Sequence, residues 1–179
     1  MPKQHVELTD GNVILRPFEL SDAEALFEKR RREEKYLPVL PDPDKRVSLE
    51  SIRQRIVSAL DCWDRRGPEL VFGIWFRKRL VGWIKIDTNN QKHEWLKKGE
   101  TLMETMTFSG TEYRMYEAES VNLALDFLKR KGFTSVLFVV KPSRVSSLIV
   151  PSVCGFDERV EQKGSNSKNF VFLKYLQEA

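Results

Sequence analysis

Apolar residues first cluster at Val13-Ile14-Leu15, with Phe18 close behind and the turn pair Asp10-Gly11 ahead, which predicts a strand. Ser21 then reads as a helix N-cap, with Glu24 three residues on as its capping-box partner and Leu20 and Ala25 as a hydrophobic staple. The helix runs through Leu26-Phe27 into the charged stretch Glu28 to Lys35. A solvated face with i,i+4 pairs explains that stretch better than a phosphate-binding patch does. Prolines at 38, 41 and 43 make Leu37 to Lys45 a loop. Ser48 caps a second helix whose apolar positions, Leu49, Ile52, Ile56, Leu60 and Trp63, recur at a 3-4-4-3 spacing, and Gly67-Pro68 stops it.

Two apolar runs follow, Leu70 to Phe76 and Leu80 to Ile86, around the basic turn Arg77-Lys78-Arg79, and predict a hairpin. Asp87 to Gly99 is a polar loop, and Thr101 to Phe108 alternates as a strand. Tyr116 to Lys131 is the clearest helix, with Val121, Ala124, Leu125 and Leu128 on its buried stripe and Gly132 as its C-cap. Ser135 to Val140 is apolar without alternation, which predicts a strand covered on both faces. Ser143 to Val150 reads as a short helix that Pro151 ends or kinks. Gly155-Phe156 and Asn169 to Leu176 supply one or two closing strands. The order β-α-α-β-β-β-α-β-α-β-β predicts an α/β architecture, a mixed sheet with helices on both faces.

Composition adds bounds. At 179 residues and 20.9 kDa the chain suits a single domain, residues 1–179. Hydrophobic residues make up 41%, enough for a core, and a net charge of +4 calls for neither nucleic acid nor an anionic membrane. No apolar run approaches the roughly 18 residues of a membrane span. Met1 to His5 lacks the apolar stretch of a signal peptide, which points to the cytoplasm. Cys62 and Cys154 read as free thiols in a reducing compartment, and two isolated histidines make no metal site. Glycine-rich phosphate loops, nucleophile elbows, zinc-binding helices and CxxC pairs are all absent. Trp75, Phe76 and Trp83 fit core or cleft positions on strands better than a base-stacking surface.

Several stretches together carry a resemblance. Leu8-Thr9-Asp10-Gly11, Leu15-Arg16-Pro17 and Asp22-Ala23-Glu24-Ala25-Leu26 at the N-terminus, Leu80-Val81-Gly82 in the hairpin, and Lys141-Pro142-Ser143 with Gly155-Phe156 near the end resemble the GNAT superfamily of acyl-CoA N-acyltransferases. The likeness is greatest to the branch that acetylates ribosomal-protein N-termini, and it spans roughly residues 7 to 176. It implies acyl transfer from acetyl-CoA to an amine of a small molecule or protein, through a ternary complex, in a monomer or homodimer. It also implies that the strands at Thr101–Phe108 and Ser135–Val140 are parallel and splay apart.

At the pyrophosphate loop the sequence departs from that family. A glycine-rich turn like E-Y-R-G-x-G-Y-A ordinarily lets backbone N–H groups at a helix N-terminus hold the phosphates. Here it reads Glu112-Tyr113-Arg114-Met115-Tyr116-Glu117-Ala118, with Met115 in place of the glycine turn and a carboxylate in the first helical turn. By resemblance, Arg114 to Ala118 would face the phosphates, and Met106 and Phe108 would flank the arm. The family's Asn and Tyr fall at Arg144 and near Pro151. Glu104 stands where relatives carry the Glu that takes the amine proton, with the amine entering from the side of Leu37 to Lys45.

Two readings follow. In one, the protein is an N-acetyltransferase with an atypical cradle and Glu104 as base. In the other, the fold has lost CoA and serves as a binding or regulatory module for a protein partner. That second reading carries its own expectation, a cleft between the splayed strands filled by some of Met106, Phe108, Met115 and Tyr116.

Overall fold

The computed structural model describes residues 6–33, 47–65, 67–88, 96–108, 114–141, 148–160 and 169–176. The proline-bearing loop at 37–45, Glu112, Tyr113 and Arg144 lie outside them. The described strands are β1 (Leu8–Thr9), β2 (Val13–Pro17), β3 (Glu69–Phe76), β4 (Arg79–Asp87), β5 (Glu100–Thr107), β6 (Ser135–Val140), β7 (Glu158–Val160) and β8 (Phe170–Tyr175). The α-helices are α1 (Ala23–Glu33), α2 (Leu49–Asp64), α3 (Arg114–Arg130) and α4 (Ile149–Val153). One mixed sheet holds the strands in the order β1-β2-β3-β4-β5-β6-β8-β7, and the parallel pair is β5–β6. This is the α/β architecture the element order predicts, with the short β1 added.

Each face of the sheet carries its own core. Leu15, Phe72, Ile74, Ile84, Met103 and Phe138 pack beneath the α3 stripe of Val121, Ala124, Leu125 and Leu128. On the opposite face Trp75, Trp83, Met106 and Phe108 pack against Leu26 of α1 and Ile52 and Ile56 of α2. Ser48 caps α2 as expected, its Oγ accepting from Ser51 N at 3.1 Å. Gly132, at φ 85°, ends α3 in the left-handed region that glycine tolerates best. The hairpin between β3 and β4 turns on Arg77 and Lys78 alone, both at positive φ, 46° and 63°. The register between these strands shifts where Ile74 faces Gly82 and Trp75 faces Leu80, which leaves Val81 as the extra residue of a bulge.

Four local expectations are corrected. Ser21 does not cap α1: a 3-10 turn at Leu20–Asp22 precedes the helix, and Asp22 Oδ2 accepts from Glu19 N at 2.8 Å. Asp22 also takes both guanidinium nitrogens of Arg16, at 2.8 and 2.9 Å, so a half-buried charge on β2 recruits the buried carboxylate. Leu20 is 51% exposed, and no staple forms with the exposed Ala25. Pro151 does not end the last helix but lies inside α4, near its start, where a missing N–H costs little, and residues 143–147 of the expected helix lie outside the described residues. α3 begins at Arg114, two residues ahead of the expected Tyr116.

Candidate functional site

β5 and β6 pair from Glu100↔Ser135 to Met103↔Phe138 and then part. β5 remains bonded to β4 as far as Thr107↔Gly82, with Phe108 N donating to Val81 O at 2.8 Å, and β6 remains bonded to β8 as far as Val140↔Phe170. The sheet therefore forks. Beyond Met103↔Phe138, β5 residues 104–107 and β6 residues 139–140 are no longer paired with each other.

Glu104 is the first β5 residue past the last β5–β6 pair. Strand alternation puts it on the same face as Leu102 and Met106, the face that carries α1 and α2. Its carboxylate is partly exposed, and Oε2 lies 3.6 Å from Nζ of Lys141, which immediately follows β6. The ion pair thus spans the fork. Lys85, opposite Glu104 on β4, is itself paired with Glu69 at 2.8 Å.

The other face of the fork belongs to α3. Glu117, in the first turn, is 1% exposed, and its Oε2 accepts a hydrogen bond from Thr107 Oγ1 at 3.4 Å, reaching from α3 to the end of β5. Cys154, after α4, closes the same space with its Sγ 3.5 Å from Ala118 O. Burial pushes the Cys154 thiol up to about 11, against the pull of Lys174 and with a smaller rise from the Glu117 carboxylate.

The four large side chains, some of which were expected to narrow the cleft, lie in different surroundings. Met106 and Phe108 are buried in the core beneath α1 and α2, with Lys29 Nζ 5.0 Å from the Phe108 ring. Met115 is 71% exposed. Tyr116 stacks on Phe76 with ring centroids 4.1 Å apart. The reason is parity: even positions of β5 point away from α3, and the second residue of α3 points to solvent. Arg114 opens α3 and offers, with Met115 to Glu117, the N–H groups that a helix leaves without helical acceptors. Sequence reasoning gave no site role to Thr107, and it used Lys141 only as part of the Lys141-Pro142-Ser143 resemblance, not as a partner of Glu104. Among the described residues no cluster of three or more His, Cys, Asp or Glu side chains forms a metal site, and no helix is long and apolar enough to cross a membrane.

The sequence matches no family profile and no curated protein sequence. Solved structures are similar in fold. The microcin C7 self-immunity acetyltransferase MccE in complex with acetyl-CoA and AMP has a TM-score of 0.72 at 11% identity, over 93% of each chain. The ribosomal-protein-S5-alanine acetyltransferase from Vibrio fischeri has 0.70 at 14% identity, over 97% of this chain and 98% of that one. A GNAT-family acetyltransferase from Bacillus anthracis has 0.67 at 15% identity, over 97% and 100%. The chain has the GNAT fold, as its sequence resemblance implied.

Proposed function

We propose that the protein transfers an acyl group from a pantetheine thioester, with acetyl-CoA the expected co-substrate, to an amine of a small molecule or protein. The observation that carries this reading is the fork, with Glu104 at its apex on the face opposite α3. An extended arm would lie where the β5–β6 pairing stops, along the strand edges at 104–107 and 139–140. The backbone of these residues would hold the arm. When bound, the thioester supplies an activated acyl carbon.

Everything else falls to the chain. A ternary-complex transfer needs alignment and one proton acceptor, and no covalent nucleophile. Glu104 is the candidate acceptor: partly exposed and on the face away from α3. Lys141 holds the carboxylate at the fork until the ammonium group of the acceptor competes for it. An N–H of β5 beyond Met103 would donate to the carbonyl oxygen as charge develops there. The buried Glu117 favours a second reading, in which the fold has given up CoA and acts as a binding module.

The test is acetyl-CoA turnover against a panel of amines and peptide N-termini, read by mass spectrometry of the product, with Glu104→Gln as control. Acetylated product that depends on Glu104 supports acyl transfer. Lack of any product, together with no thioester binding by calorimetry, supports the binding module.

A further inference from the structure

We infer that the protein holds a second binding site, remote from the fork, that takes a small aromatic carboxylate. The inference is independent of the acyl-transfer reading. The site is a pocket of about 390 Å³ between the C-terminal ends of α2 and α3, where Trp63, Leu70, Thr88, Phe127, Lys131 and Phe133 line it. It lies at the end of the sheet where β3 and β5 start and β4 finishes, whereas the fork is at the end where β5 finishes. α3 spans the two ends, and its 17 residues at a rise of about 1.5 Å set Arg114 and Arg130 about 24 Å apart.

The walls of this pocket are aromatic and held in place. Trp63 Nε1 donates to Val71 O at 3.2 Å, and the Trp63 ring meets Phe72 edge-on at 4.7 Å and Phe127 at 6.3 Å. Phe72 and Phe127 stand edge to face at 5.7 Å. Phe127 is buried, while Trp63, Leu70 and Phe133 are half-buried and keep apolar surface on the pocket side. A planar apolar body gains from offset or edge-to-face contact with such rings. Concave sites of a few hundred Å³ with mainly apolar walls and few polar groups are the usual form of a small-molecule site.

The polar groups decide the sign of the ligand. Among the described residues Lys131 is the one charged side chain that lines the pocket, and no carboxylate lines it. The Lys131 Nζ lies 5.6 Å from the centre of the Phe127 ring, and among the described residues it forms no ion pair. The carbonyls at the neighbouring helix ends already accept hydrogen bonds: Phe127 O and Leu128 O from Lys131 N, Lys129 O from Gly132 N, and Cys62 O from Gly67 N. Thr88 Oγ1 spends its proton on Pro68 O at 3.0 Å. A cationic ligand would therefore meet an ammonium and no anion. A carboxylate gains a charge-assisted hydrogen bond from Lys131. Lys131 is exposed at the rim, so the head group stays at the water boundary while the ring enters the pocket.

The experiment is a titration of the full chain at pH 7, followed by proton–nitrogen NMR, with three probes of similar shape: 3-phenylpropionate, 3-phenylpropionamide and 3-phenylpropylamine. The acid is expected to shift the Trp63 indole N–H and the amides of Thr88 and Lys131 to Phe133, and to leave those of 104–107 in place. The amide is expected to bind about fivefold more weakly than the acid, and the amine about tenfold or more weakly. Lys131→Met is expected to bring the acid down about fivefold, to the level of the amide, while the amide itself changes less than about twofold. Lys131→Arg keeps the charge and is expected to stay within about threefold of wild type. Lys131 is exposed, so both variants are expected to melt as wild type does. Equal affinity for acid and amide, tighter binding of the amine, or full affinity for the acid in Lys131→Met overturns the inference. Shifts confined to the fork, or no binding of any probe below about 10 mM, overturn it too. None of these results bears on acyl transfer at the fork.

Discussion

Lys141 Nζ lies 3.6 Å from Glu104 Oε2, so the residue after β6 is tied to the first residue of β5 beyond their shared pairing. Both side chains are partly exposed, and a pair of this kind contributes at most about 1 kcal/mol to stability. Its weight is positional. Glu104→Gln is expected to lower kcat by about 10²- to 10⁴-fold, the usual worth of a general base. Lys141→Met is expected to alter kcat or the KM for the amine while unfolding free energy moves by less than about 1 kcal/mol. Steady-state kinetics and urea unfolding on the same preparations check both. A Glu104→Gln protein with wild-type turnover removes Glu104 from the mechanism.

Gly82 sits where β4 meets the free end of β5. A Cβ there would lie 2.2 Å from the Met106 carbonyl oxygen and 3.0 Å from the Thr107 Cα, both backbone atoms that cannot rotate away. Gly82→Ala is therefore expected to force β5 off β4 next to the fork, at a cost of about 3 kcal/mol or more. Thermal unfolding measures it, and a shift of less than about 2 °C contradicts the close approach.

Arg16 and Asp22 form a bidentate pair that ties β2 to the turn before α1, with Asp22 also accepting from Glu19 N. The Asp22 carboxylate keeps the Arg16 guanidinium protonated, raising it above its already high ordinary value. Asp22→Ala leaves this guanidinium without its carboxylate, and it is expected to destabilise by about 2–4 kcal/mol. Arg16→Lys is not a neutral exchange, because an ammonium cannot make both bonds. Denaturant titration of the two variants is the measurement.

Cys154 is expected to resist alkylation in the native protein, since its thiol is buried and held near 11. Cys62, half-buried, is expected to label first, which peptide mapping after brief iodoacetamide treatment at pH 8 will show. The same shift sets a pH dependence. The unfolded thiol ionises near 9.0 and the folded one near 11, so the folded state holds the extra proton between them. Stability from this group is fully present below about 9 and declines as pH rises toward 11. Stability that does not fall over that window, or that falls equally in Cys154→Ala, contradicts the assignment.

The lesson for sequence reading lies in which elements were legible. The α3 stripe, the six buried residues of β6, the Ser48 cap and the hairpin are local signals, because helix and strand periods and cap chemistry act within a few residues. The N-terminus of α1 misled for an equally physical reason: a distant charge, Arg16 on the preceding strand, took Asp22, and the cap moved with it. The strand that holds Glu104 was legible from its alternation, and the family likeness supplied only the expected role. The partner of Glu104 was not legible, since Lys141 is 37 positions away in sequence and reaches it only across the fork.

By itself, the sequence determined the element order, the mixed architecture, the departure from a glycine-rich phosphate turn and the carboxylate at position 117. These depend on residue identity and short-range periodicity. Only the tertiary structure decided where the β5–β6 pairing ends, that Met106 and Phe108 turn to the α1/α2 face, and that Glu117 is buried against Thr107. Sequence does not show those facts, because strand register, the face a strand presents and the depth of a side chain are set jointly by all the elements that pack together.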